Sequence, residues 1–319
     1  MIERINLAHL PTPIEALPRL SLLLNGPQIF IKRDDQTGLA MGGNKTRKLE
    51  FLLAEALAQG AKMLLSAGAV QSNHCRQVAA AAARYGLGCT LILTGEPPAQ
   101  SDGNLLLDEI LGAQIKFTNR ENRDNLLQKT YAQAEAAGQS PYLIPYGGSN
   151  ATGALAYAAA FEEMMNQDLE PDWVIFASSS GGTQAGMILG AHITSFKGKI
   201  LGISVDVPIE TLQQTVAPLV AAAAHKRGMQ VDCKPTDVLV NADYIGLGYG
   251  IMGQGEIEAI ELFARNEGIL LDPVYTGRAA AGMIDLVRKG QFKPGEKLLF
   301  WHTGGTPAIF AQKYSRELG

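Results

Sequence analysis

The chain has 319 residues, 46% hydrophobic and 18% charged, with a formal net charge of −4. That balance excludes a disordered chain, which needs low hydrophobicity and high net charge, and a general nucleic-acid binder, which needs a basic surface. No apolar run approaches the ~20 residues of a membrane span, and the opening MIERINLAHLPTPIE lacks the basic end and apolar stretch of a signal peptide.

In chain order, short apolar runs alternate with helical spacing. QIFIK (28–32) reads as a buried strand, and NKTRKLEFLLAEALAQG (44–60) as a helix with Leu49, Leu52, Leu53 and Leu57 on its apolar face. MLLSAG (63–68) is a strand that leads into the Ala-rich helix HCRQVAAAAARYG (74–86). CTLILTG (89–95), YLIPYGG (142–148) and WVIFASSS (173–180) read as further strands, the last running straight into the helix TQAGMILGAHI (183–193). ILGISV (200–205) and LLFWHTGG (298–305) complete the strand set. Strand–helix alternation implies parallel strands joined by crossovers, hence an α/β fold with both sheet faces covered. The pair Gly147-Gly148 before Ser149 is a weak candidate boundary between domains.

In such folds ligands collect where strand ends meet helix starts. The 35 glycines, about 11% of the chain against a usual ~7%, suggest loops that approach a ligand closely. Four polar loops fit that position: 42–45, 72–74, 178–183 and 302–306. Ser178–Thr183 offers small hydroxyls, backbone N–H groups and the positive end of a helix dipole, the parts of a phosphate cradle. It lacks the lysine and spacing of a nucleotide-triphosphate loop, and an ordinary capped turn explains it equally well. Lys45 lies at a helix start with Arg47 and Lys48, where three cations oppose the dipole unless an anion compensates or all three are solvated. Partial burial and neighbouring cations would lower the Lys45 amine pKa, as a Schiff-base lysine requires. Ser72 or Asn73 is a sufficient N-cap by itself, and the same N–H groups suit a substrate carboxylate. His74 and Cys75 diverge on a helix and are no metal pair. Cys75, Cys89 and Cys233 are also too few and too scattered for a disulfide framework or a zinc site. Residues 248–253 satisfy GxGxxG, but no buried strand precedes them, so a loop presenting Tyr249 is the better reading than dinucleotide binding.

KRDDQTGLAMGGNKTRKLEFL (32–52), SAGAVQSNHCRQVAAAAA (66–83), GGTQAGM (181–187), LLDPVYTGRAAAGM (270–283) and FWHTGGTPAIF (300–310) together resemble the fold-type II pyridoxal-phosphate enzymes. Within them the chain looks like the group of D-cysteine desulfhydrases and 1-aminocyclopropane-1-carboxylate (ACC) deaminases. The resemblance covers nearly the whole chain. It implies pyridoxal 5'-phosphate as cofactor, and two α/β domains, each with a mainly parallel sheet flanked by helices, with the site in the cleft between them. Residues 47–153 would form the smaller domain, and 1–46 with 154–319 the larger. Lys45 falls where the family's Schiff-base lysine lies, and Ser180, Gly181, Gly182 and Thr183 match its phosphate loop, with Lys48 as a further phosphate partner. Asn73 matches the asparagine bonded to the cofactor's 3-hydroxyl. Ser72 matches the active-site serine, His74 adjoins it at the substrate carboxylate, and Tyr249 and Tyr275 match two pocket tyrosines with catalytic roles. A homodimer, a small amino-acid substrate and a cytoplasmic location are the remaining expectations.

By the same resemblance, ACC deaminases carry a glutamate after the pocket tyrosine, facing the pyridine nitrogen; this chain has Thr276. A neutral hydroxyl there makes the ring a weaker electron sink than a carboxylate would. Expelling a thiol needs less help than opening a cyclopropane, so β-elimination of D-cysteine to pyruvate, hydrogen sulfide and ammonia is favoured. ACC deamination and sulfite elimination from cysteate are the alternatives within the family. A nicotinamide-dependent reductase and a non-catalytic amino-acid binder are those outside it. Either Lys45 or Ser72 could take the Cα proton.

Overall fold

The computed structural model describes residues 3–318. Ten strands are present: β1 (Ile14–Ala16), β2 (Gln28–Arg33), β3 (Met63–Ala69), β4 (Gly88–Thr94), β5 (Gln114–Thr118), β6 (Pro141–Leu143), β7 (Trp173–Ser178), β8 (Lys199–Ser204), β9 (Val240–Asn241) and β10 (Lys297–His302). They form a six-stranded sheet in the order β1-β2-β10-β7-β8-β9 and a four-stranded sheet in the order β5-β4-β3-β6. Every pairing is parallel except β1 with β2. The α/β architecture with two mainly parallel, helix-flanked sheets is therefore as the sequence predicts.

The sequence patterns identify seven of these strands and miss β1, β5 and β9. All three missed strands lie at sheet edges. An edge strand is short or half exposed, so it lacks the continuous apolar run that marks a strand buried on both faces.

Alternation along the central strands splits the large sheet's core. Ile175, Ile203, Leu298 and Phe300 face one side with Phe263 and Met283. Val174, Phe176, Leu299 and Trp301 face the other with Tyr157, Phe161 and Met187. On that second side, helices Ala151–Met165 and Gly182–Thr194 approach so closely that a Cβ at Gly190 would lie 2.5 Å from the Cβ of Phe161. The small sheet packs Leu64, Leu91 and Leu93 against Leu49, Leu52 and Leu53 of helix Asn44–Ala58 and Val78, Ala79 and Ala82 of helix Asn73–Arg84. No helix among the described residues is long and apolar enough to cross a membrane.

A buried carboxylate ties distant segments together. Asp34 accepts hydrogen bonds from Thr12 Oγ1 (2.9 Å), Arg47 Nε and Nη2 (3.0 and 2.8 Å), Tyr157 Oη (2.6 Å) and Trp301 Nε1 (2.8 Å). Arg47 also meets Glu163, which in turn takes Lys32 Nζ at 2.6 Å. Burial pushes the Asp34 pKa up, but the adjacent Arg47 cation and these hydrogen bonds outweigh it and hold the carboxyl below its usual range. Breaking such a buried pair by removing one charge costs roughly 3–5 kcal/mol. Asp34→Asn is expected to lose that much at pH 7, read as a shift in the urea midpoint. Because the folded pKa is depressed, this stabilisation is complete above the unfolded value of about 3.9 and fades as pH falls through the folded one. The gap between parent and variant should therefore narrow in strong acid.

Candidate active site

Four helix starts meet at the cleft between the sheets. The first follows the turn at Gly42 and Gly43, whose φ values of +68° and +124° place them where side chains are rarely accommodated. Gly43 N–H donates to Thr37 Oγ1 at 2.8 Å and Asn44 N–H to the Thr303 carbonyl at 2.9 Å, so the turn is fixed before the helix begins. Lys45 lies in the first helical turn, half-buried, with Nζ donating to Asn44 Oδ1 at 3.0 Å. Burial lowers its amine pKa to about 8, with nearby Arg76 adding to the shift and Asp272 opposing it. The neighbouring cation that matters is thus Arg76. Arg47, which the sequence leaves either compensated by an anion or solvated, is compensated by Asp34 and Glu163.

Lys48 is 1% exposed, and its ammonium donates to the Gly147 carbonyl at 3.0 Å and Ser149 Oγ at 3.3 Å. Among the described residues it has no carboxylate partner, and burial lowers its pKa well below the usual lysine range, with Lys45 lowering it further. Ser149 Oγ also lies 2.7 Å from Ser180 Oγ and accepts the Gly182 N–H at 3.2 Å. Gly181 adopts φ +81° as N-cap of the second helix start, Gly182–Thr194, which has no side-chain cap. Thr183 Oγ1 accepts from Asn44 Nδ2 at 3.3 Å.

The third helix start, Asn73–Arg84, is capped by Ser72, whose Oγ accepts the Cys75 N–H at 3.2 Å. His74 Nε2 lies 2.9 Å from Ser66 Oγ. Ser66 donates its own proton to the Ile144 carbonyl, so His74 donates through Nε2 and leaves Nδ1 as a buried acceptor with no protein partner. Burial, then Lys45 and Lys48, depress the His74 pKa well below normal, keeping the ring neutral.

At the fourth, Thr276–Arg288, Asp272 takes over as cap. It accepts the N–H groups of Val274, Tyr275 and Thr276 at 2.9, 2.9 and 2.6 Å. Tyr275 reaches the cleft, and its hydroxyl lies 2.5 Å from that of Tyr249. Burial raises both phenols well above their ordinary pKa, so both are neutral donors.

Lys45, Ser72, Asn73, His74, Ser180, Gly181, Thr183 and Tyr275 line one cleft, as expected of a common site. Tyr249 reaches it only through Tyr275, and borders an adjoining hollow instead. Gly182 and Lys48 stand directly behind the lining. Thr276 needs correction. It is fully buried, its hydroxyl donates to Asp272 Oδ1 and accepts the Asp272 N–H, both at 2.7 Å, and it does not line the cleft. The threonine that lines the cleft is Thr303, beside Gly304. The polar loop 302–306 was visible in the sequence, but nothing there ranks Thr303 above Thr276 as the residue reaching the site. Asn44, from the polar loop 42–45, also lines the cleft, and Tyr146 is a lining residue that no motif singled out.

The residues present fit a phosphorylated aldehyde. A buried lysine without a carboxylate partner stands beside an uncapped helix start, a combination that lacks one anion. A second lysine, with its amine lowered to about 8, is placed for a carbonyl carbon. The sequence profile described as "Pyridoxal-phosphate dependent enzyme" matches residues 5–304. The chain belongs to this family, and pyridoxal phosphate is its cofactor.

Among individual relatives, D-cysteine desulfhydrase of Klebsiella pneumoniae (strain 342) is 44% identical over 317 residues, covering 97% of this chain and 95% of that protein. A crystal structure described as an ACC deaminase homologue superposes with a TM-score of 0.91 at 38% identity, over 99% of this chain and 95% of the other. A fungal L-serine ammonia-lyase from Rhizomucor miehei shares the fold at a TM-score of 0.71 and 16% identity, over 98% of both chains.

Lys48→Met tests the missing anion. Replacing a buried, unpaired ammonium by a chain of similar shape is expected to leave the cofactor-free protein as stable or more so. Cofactor affinity should fall about ten- to a hundredfold, the worth of one charge-assisted hydrogen bond. Thermal melts without cofactor and fluorescence titration with it measure the two.

Proposed function

We propose that this enzyme eliminates sulfide from D-cysteine. D-Cysteine and water become pyruvate, ammonia and hydrogen sulfide. The observation that carries the reading is that no carboxylate lines the cleft among the described residues. Asp272, the acid whose charge Lys45 feels, is saturated by three backbone N–H groups and the Thr276 hydroxyl. The group offered to the pyridine nitrogen is then the Thr303 hydroxyl, which is neutral. The 44% identity to a D-cysteine desulfhydrase supports the same reaction.

Bound pyridoxal phosphate supplies the electron withdrawal that lets the Cα proton leave and the Cβ–S bond break. The rest falls to the chain's own residues. Ser180, Gly181, Gly182 and Thr183 hold phosphate at the helix start, with Lys48 as counter-charge. Lys45 Nζ would hold the cofactor's carbonyl carbon and, when free, would serve as the base for the Cα proton; an amine pKa near 8 leaves a useful unprotonated fraction at neutral pH. Ser72 and Asn73, with the main-chain N–H of His74, orient the substrate carboxylate at the third helix start. Tyr275, braced by Tyr249, has a neutral hydroxyl able to hydrogen-bond the departing sulfur, and the proton taken from Cα is available to it. We place the cleft between a smaller domain of residues 47–153 and a larger one of 1–46 with 154–319. A cytoplasmic homodimer is the assembly we infer, checked by light scattering.

ACC opening is the second reading, favoured by the likeness to an ACC deaminase homologue. A panel of D-cysteine, L-cysteine, cysteate and ACC, assayed for sulfide, pyruvate and 2-oxobutyrate, separates the two. D-Cysteine should be turned over fastest; faster release of 2-oxobutyrate from ACC would refute the proposal. Lys45→Ala should abolish turnover, and borohydride reduction followed by peptide mapping should place the pyridoxyl group on Lys45.

The two threonines differ in what their loss should do. Thr303→Val removes a donor inside the cleft, so the visible band of the bound cofactor should shift and kcat should fall. Thr276→Val leaves the cleft intact but frees a buried Asp272 oxygen, costing about 1–3 kcal/mol of stability with the band unmoved. The opposite pattern would return the ring-nitrogen contact to Thr276.

A further inference from the structure

The segment carrying Asn73 into the cleft is braced from behind by amides whose orientations follow from the backbone. Gln71 Nε2 donates to the Asp102 carbonyl at 3.2 Å and to Asp102 Oδ1 at 2.8 Å. Both partners only accept, so Gln71 Oε1 must face the other way, where it takes the Asn104 main-chain N–H at 2.8 Å. Asn104 Nδ2 donates to the Gln71 carbonyl at 3.1 Å, again a group that can only accept. The same nitrogen lies 3.1 Å from Asn73 and can only donate, so Asn73 presents Oδ1 to it. Asn73 Nδ2 is left for the cleft that this residue lines.

Asn104 is fully buried, which makes its side-chain donor costly to leave unpaired. Gly103, at φ +50°, lets the chain pass Gln71 where a Cβ would collide with Oε1. Asp102 Oδ2 accepts the Gln312 N–H at 2.6 Å, tying this brace to the start of helix Gln312–Leu318 beside the adjoining hollow.

We propose that Asn104 is a positioning residue that fixes the polarity of Asn73, so the cleft receives an amide donor and never a carbonyl acceptor. The partner this donor takes is an anionic oxygen, either the ring oxygen of the cofactor or the carboxylate of the substrate. The inference rests on the reading of the cleft given above. With the amide reversed, a carbonyl oxygen would face that anion and repel it.

The test uses the cofactor-loaded protein with Asn104→Leu, which deletes the donor at similar size, and Asn104→Asp, which replaces it by an acceptor of the same shape. Three quantities are read: the pH titration of the resting visible band, KM and kcat for D-cysteine, and Tm. A donor to the ring oxygen stabilises its anionic form, so in that case the band's transition moves to higher pH in both variants, with KM near the parent's. A donor to the substrate carboxylate leaves the resting band unmoved and raises KM about ten- to a hundredfold. Either result supports the assignment and identifies the oxygen. A lowered Tm with the titration and KM both parental means that Asn104 only supports the fold, and overturns it. Asn104→Leu introduces no buried charge and keeps the test readable should Asn104→Asp fold poorly. A parent that releases no sulfide from D-cysteine would defeat the proposed reaction alone, because the band titration needs no substrate.

Discussion

Parallel strands all end on the same side of their sheet, and each hands the chain to a helix whose positive end points back toward that edge. Three helix starts that follow strands, at Lys45, Ser72-Asn73 and Gly181, meet at one cleft, and a fourth at Tyr275, which follows helix Gln254–Glu267, joins them. Everything chemical here depends on that convergence. Ser72 and Asp272 cap two of the four starts with side chains of the protein. The starts at Gly43 and Gly181 have no side-chain cap. At these two the first N–H is taken by a neighbouring segment, Asn44 by the Thr303 carbonyl and Gly182 by Ser149 Oγ, and the lysines and small hydroxyls stand beside them.

One cation of the first helix start is neutralised elsewhere. Lys45, Arg47 and Lys48 follow one another within a single turn, yet only Arg47 has carboxylate partners. Through Asp34 it also reaches Thr12, Tyr157 and Trp301, which come from the chain's beginning, middle and end. The turn carrying Lys45 is thereby held from the rear by a saturated carboxylate, while its front is left electrostatically open. Burial of Lys45 and Lys48 lowers both amines, and an anionic ligand nearby would favour the charged form of each.

How far the sequence reveals this follows the range of the interactions involved. Buried strands and the Ala-rich helix carry their own local pattern, and the loops at their ends can be placed from it. The edge strands β1, β5 and β9 have weak patterns because a single neighbour suffices to define them. The cationic turn was legible as an anomaly, but the partner that resolves Arg47, Glu163, lies 116 residues away. Thr276 follows the pocket tyrosine in sequence, yet a helix start rotates successive residues by about 100°, so Tyr275 faces the cleft and Thr276 faces Asp272. Asn104 sits on a helix that touches the site only from behind, and nothing in its neighbours' sequence marks it.

Polarity is what these long-range contacts add to a layout that local pattern already provides. Asp272 is an acid within the electrostatic reach of Lys45, and an uncommitted carboxylate there would neutralise the amine and offer a charge to the cofactor ring. Its oxygens are instead taken by Val274, Tyr275 and Thr276, so it acts as a helix cap that the cleft feels only at a distance. Asn73 could offer either end of its amide, and Asn104 takes the oxygen. His74 could offer either ring nitrogen, and Ser66, committed to the Ile144 carbonyl, takes the one that bears the proton. In each case a group with two possible faces is fixed by a partner that is itself fixed by the backbone. The cleft consequently shows an ordered set of amide, imidazole and hydroxyl groups, with no carboxylate among the described residues that line it. That pattern suits expulsion of a good leaving group such as thiolate, which needs a correctly oriented substrate more than it needs a strongly activated ring.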